Sequence, residues 1–134
     1  MKITMMDITQ HITLALQRVV CHPDHNEAKI RQFFSPDYQQ VVDGQSLDFT
    51  GFVEHMAKLK HLTHAIDVTV VAIAGQNNDV LTHHLVAVSK KDGSQAHIDV
   101  FAHFTLENGL ITRCEELTRL VRGTAQDRSL GSVR

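Results

Sequence analysis

The sequence predicts an α+β domain, with N-terminal helices packed in a curved, mostly antiparallel sheet. Three observations carry this. Early apolar residues recur at helical spacing, as in Ile8, Ile12, Ala15, Leu16 and Val19. The second half changes to four strand-like runs, over about 66–76, 79–90, 96–107 and 110–121. The runs are separated by Asn77-Asn78, Lys91-Asp92-Gly93-Ser94 and Asn108-Gly109. Asn-Gly between alternating segments is a strong hairpin signal.

The elements follow in order. Asp7 and Gln10 have capping-box spacing and place the first helix at about 7–20. His22-Pro23 interrupts it. Asp24 and Glu27 form a second capping box, and Ile30, Phe33 and Phe34 are the buried stripe of a short helix ending before Pro36. Residues 37–42, DYQQVV, read as a short strand, and Asp43-Gly44 as a turn. Asp48 is the expected N-cap of a third helix, with Leu47 and Phe52 at staple spacing and Phe52, Met56 and Leu59 buried. The tail from about 122, RGTAQDRSLGSVR, is polar and expected to be loosely ordered.

Composition bounds the function. A chain of 134 residues has the size of one ordinary domain, and a hydrophobic fraction of 43% can build a core. A formal charge of −2 gives no long-range reason to expect nucleic acid or an acidic membrane as partner. The longest apolar run, Val70 to Ala74, is too short to span a bilayer, and MKITMMDITQ lacks the apolar stretch of a signal peptide. Cys21 and Cys114 form no CxxC pair, so free thiols and a cytoplasmic location are expected.

The stretch HIDVFAHF (97–104) alternates strictly, which reads as a strand with one polar and one apolar face. Minimal loops would align Phe101 with His84 on one side and with Glu116 on the other. One face then collects His84, Val86, His97, Asp99, Phe101, His103, Cys114 and Glu116, a mixture suited to a small-molecule pocket. The other collects Leu81, Leu85, Ile98, Val100, Phe104, Arg113, Glu115 and Leu117, as a dimer contact would. Two readings stand for the polar residues: a pocket lining, or a face turned to solvent or to a dimer rim. A one-residue error in any loop swaps a strand's faces.

Residues 33–56, FFSPDYQQVVDGQSLDFTGFVEHM, and 104–117, FTLENGLITRCEEL, resemble the nuclear transport factor 2-like superfamily in its SnoaL-like branch. The order helix–helix–strand–helix–four strands matches as well, over nearly the whole chain. The resemblance implies a single domain over 1–134 built as a cone-shaped α+β barrel, the cystatin-like fold. It also implies a pocket between the sheet and the helices, and often a homodimer. Members include steroid isomerases, epoxide hydrolases, polyketide cyclases, dehydratases and non-enzymatic binders, so it implies the fold more firmly than the activity. The hydrolases it resembles use an arginine and an aspartate on the second long strand and an aspartate on the last. Those places here hold His84, Val86 and Glu116. The central aspartate is absent, and the first helix lacks the tyrosine that the isomerases use.

The candidate catalytic residues are therefore Asp99, His84 and Glu116, with Tyr38, Gln40, His55, Val86, His97, Phe101, His103 and Cys114 as further pocket-lining candidates. A carboxylate in a partly apolar pocket beside an imidazole suits proton transfer on a small, mainly apolar molecule. This would be a cofactor-free isomerase, cyclase or hydrolase. The rival is a non-catalytic ligand-binding or protein-interaction module. Three places could offer metal ligands. Beside Cys21, His22 and His25, Asp24 is better explained as a helix cap. His61 and His64 suit a helix end. The strand histidines have no compact spacing motif, so no metal or cofactor is expected.

Overall fold

The computed structural model describes the backbone of residues 5–133 and side chains from Ile8 onward. Helix α1 (Met5–Ala15) widens in its last turn into a π-helical segment, Leu16–Val20. Ile8 and Ile12 are almost wholly buried. The Asp7 capping box lies outside the described side chains, and the helical backbone already runs from Met5. Helix α2 (Glu27–Phe33) is capped by Asn26, whose side chain accepts from the Lys29 amide at 3.1 Å. The cap is thus two residues later than Asp24.

Phe34 opens strand β1 (Phe34–Val42), so the chain leaves the helix earlier than the apolar stripe implied. The turn at Asp43-Gly44 leads into a short strand β2 (Gln45–Asp48). Asp48 caps helix α3 (Phe49–Leu62), with its carboxylate 2.8 Å from the Gly51 amide. Four long strands follow: β3 (Thr63–Gln76), β4 (Asp79–Lys90), β5 (Gln95–Glu107) and β6 (Leu110–Arg122). Positive φ angles at Asn77, Asn108 and Gly109 fit the tight turns those residues were expected to make.

The sheet has the order β2-β1-β6-β5-β4-β3 and is curved and unclosed. β1 pairs in parallel with β6 and every other pairing is antiparallel. The helices lie in its concavity around a core that includes Phe33, Phe34, Tyr38, Phe52, Met56, Val100 and Ile111. Phe34, Tyr38 and Phe52 form a ring cluster with centroids 4.8–4.9 Å apart.

Beyond Asn77-Asn78, Val70 rather than the expected Val71 pairs with His84, and two further registers differ from the minimal-loop alignment. Ser89 rather than Lys90 pairs with Gln95, so His84 faces Val100. In the next hairpin Thr112 is an extra residue, and beyond it Ala102 faces Glu116. Each shift of one residue reverses a face. The two cancel across β5, so β4 and β6 keep their expected relation while β5 is inverted. The tail also differs from expectation. Ala125–Ser129 form a short 3-10 turn, and Asp127 and Leu130 are buried. No described helix is long and apolar enough to cross a membrane.

Candidate functional site

A cavity of about 540 Å³ opens between the concave face of the sheet and the helices. That is ample for a small organic molecule. Its walls are mainly aliphatic: Val86 and Val88 from β4, Ile98 and Val100 from β5, Leu120 from β6, and Ile66 and Val68 from β3. Phe52, Met56 and Leu59 close it from α3. Leu16 and Val20, four residues apart and so on one side of the helix, reach it from the π-helical turn.

Polar groups enter this lining from the sheet, α3 and the tail. His84 is 3% exposed and its Nδ1 is hydrogen-bonded to the Thr82 hydroxyl at 2.9 Å. Burial, with a smaller contribution from the neighbouring His83, lowers its pKa to about 4, so the ring is neutral at physiological pH. Glu116 is half-buried and lines the same cavity. Burial raises its carboxyl to about 7, and the nearby Asp43 adds to the effect against an opposing hydrogen bond from Cys114. The Cys114 thiol donates to Glu116 Oε1 at 3.5 Å.

His84 and Glu116 lie two strands apart, with their rows offset by two residues, because His84 pairs with Val100 and Val100 with Thr118. Strand geometry sets their backbones roughly 12 Å apart across the concave face. A ligand of several carbon atoms would fit between them.

Gln40 and His55 also line the cavity. Tyr38 lies behind it, 1% exposed, and its hydroxyl donates to Gln40 Oε1 at 2.8 Å. Burial pushes the Tyr38 phenol and the Cys114 thiol well above their ordinary values, so both stay protonated. Among its polar groups the cavity therefore has the Glu116 carboxyl poised near neutrality, the Gln40 amide and two neutral imidazoles, burial lowering the His55 pKa as well. At its rim the Asp43 carboxylate accepts from the Thr118 amide at 2.8 Å and from the Thr118 hydroxyl.

The other candidates lie elsewhere. The inverted β5 turns His97, Asp99, Phe101 and His103 to the outer face. Asp99 accepts from Arg119 at 3.3 Å and is paired with His83 at 2.7 Å. Phe101 is 55% exposed and stacks on the His83 ring, with centroids 4.2 Å apart. His103 is paired with Asp79 at 2.8 Å. The apolar residues between them, Ile98 and Val100, face the cavity instead. The sequence reading missed the tail's Asp127, Arg128, Leu130 and Gly131, all in the lining. Nothing in their polar run signals burial except the lone Leu130.

Among the described residues no group of three or more His, Cys, Asp or Glu side chains is placed to hold a metal ion. The His22 ring is engaged locally, accepting from the Asp24 amide at 3.1 Å.

Residues 15–114 match the SnoaL-like domain family. An uncharacterized protein of Schizosaccharomyces pombe is 36% identical over 104 residues, covering 78% of this chain and 80% of that one. Among solved structures, a candidate SnoaL-like polyketide cyclase from Jannaschia sp. CCS1 superimposes with a TM-score of 0.71 at 12% identity. That match covers 88% of this chain and 89% of the other. An LEH-like epoxide hydrolase of M. tuberculosis gives a TM-score of 0.71 at 13% identity, covering 86% and 84%. At such identities the likeness is one of fold.

Proposed function

The chain belongs to the SnoaL-like domain family, and from that premise we propose that its cavity binds a small, mainly apolar carbonyl compound and moves a proton on it. One observation carries this reading: Glu116 and His84 share a single, largely aliphatic cavity whose burial shifts them in opposite directions. A carboxylate of raised pKa is a stronger base, and a neutral imidazole keeps one ring N–H with which to donate a hydrogen bond.

In the proposed step, ionised Glu116 takes a proton from the carbon beside the carbonyl. The C–H electron pair becomes the new C=C bond, and the carbonyl π pair moves to oxygen. The resulting enolate oxygen is stabilised by the His84 ring N–H, which is available on Nε2 when Thr82 donates to Nδ1. Return of the proton at another carbon gives isomerisation. Attack of the enolate carbon on a second carbonyl of the same molecule gives cyclisation, the π pair of that carbonyl moving to its oxygen, which takes back the proton held by Glu116. The cyclase and hydrolase among the structural neighbours support small-molecule chemistry of this general kind.

The test is deuterium incorporation beside the carbonyl of apolar cyclic ketones, followed by proton NMR in heavy water. Enzyme-dependent exchange that falls about a hundredfold or more in Glu116→Gln is expected. Ketones that bind without any catalysed exchange would favour the non-catalytic binding module.

We also propose that the outer face joins a second copy of the chain. Leu81, Leu85, Phe101 and Leu117 are all more than two-fifths exposed there, in adjoining rows of β4, β5 and β6. A contiguous apolar patch of this kind favours association.

A further inference from the structure

Resting on the reading of the cavity as a binding site, we propose that residues 123–133 form a strap that controls entry to it. The strap also holds His55 so that Nε2 meets the ligand as a hydrogen-bond acceptor. Three fixings place the strap. At its start, Gly123 turns with φ +145°, and a Cβ there would lie 2.6 Å from Asp127 Oδ2. This close turn lets the Asp127 carboxylate accept from the Thr124 amide at 2.8 Å. Its other oxygen accepts from Lys90 Nζ on β4 at 2.6 Å.

In the middle, Leu130 enters the hydrophobic core. A Cβ at Gly131 would lie 2.9 Å from Val42 Cγ1, so the strap rests directly on β1. Near its end, the Val133 carbonyl accepts from His55 Nδ1 of α3 at 2.5 Å. The strap thus bridges β4, β1 and α3 around one cavity, and four of its residues line that cavity.

The last fixing has a chemical consequence. A neutral imidazole that donates from Nδ1 carries its lone pair on Nε2. His55 then selects ligands bearing a hydroxyl, enol or N–H donor, complementary to the donor offered by His84. The ligand class narrows to an apolar carbonyl compound that also carries such a donor.

The experiment uses the full chain, with Lys90→Ala freeing one end of the strap and Gly131→Val lifting its middle. Lys90→Arg keeps the charge as a control. Circular dichroism melts establish that each variant is folded. Long-range proton–nitrogen NMR of the His55 ring reads the tautomer, and stopped-flow fluorescence reads entry of anilinonaphthalene sulfonate. We expect the Nδ1–H tautomer in the wild type and a mixture in both releasing variants. Dye association should be faster in both, and about tenfold in Lys90→Ala, the change expected when a charge-assisted hydrogen bond is lost. Lys90→Arg should behave as wild type. An Nε2–H ring in the wild type, or ring signals and dye rates unchanged by both releasing variants, would overturn the strap. A dye that enters none of the proteins counts against the binding-site reading and so against control of entry. The His55 spectra still judge the fixing separately.

Discussion

At the residue scale, the proposed chemistry rests on what burial does to two side chains. Glu116 has its carboxyl raised from an ordinary 4.5 to about 7. Its contribution to stability is complete below the unfolded value and is lost as pH rises through about 7. Discounted for partial exposure, the loss is about 2 kcal/mol. Glu116→Gln should remove it, so urea unfolding of the variant should lack that decline between about pH 4.5 and 8. His84 works in the other direction. Its lowered pKa means stability is lost as pH falls from 6.5 through about 4. Glu116 and His84 could be picked out in the sequence as an acid and an imidazole in strand-like runs. Asp99 was equally eligible there, but the fold gives it Arg119 and His83 as partners on the outer face. Alternation reveals that a strand has two faces, and it does not say which one is enclosed.

At the element scale, two small irregularities decide the site. The loop between β4 and β5 is one residue longer than its minimal form, and Thr112 bulges at the start of β6. Neither Lys90 nor Thr112 announces this in sequence: Thr favours strands, and Lys is common beside a turn without fixing its length. The Thr112 hydroxyl donates to the Thr105 carbonyl at 3.1 Å and so pins the bulge. Thr112→Val should cost about 1 kcal/mol in urea unfolding. Its loosened register should also broaden the NMR signals of Glu116. The caps and turns were easier to read, because their chemistry is local. Asp48 accepts from the third amide of its helix, and Asn108-Gly109 makes the turn its φ angles require. The Asn26 cap escaped notice because Asp24 offers the same chemistry two residues earlier.

At the scale of the whole molecule, a curved sheet has two surfaces with different tasks. The concave surface is covered by helices and holds the cavity, while the convex one leaves Phe101 and Leu117 open beside each other. If a second copy covers that surface, sedimentation velocity should find a dimer, and Leu117→Glu should yield a folded monomer. A monomeric wild type at high micromolar concentration would count against the pairing. The central claim is that the enclosed surface holds a proton-exchanging carboxyl. Carbon-13 NMR titration of the Glu116 side chain in the wild-type protein tests this most directly. A midpoint of about 7 is expected. An ordinary carboxylate midpoint near 4.5 would contradict it and leave the cavity without its base.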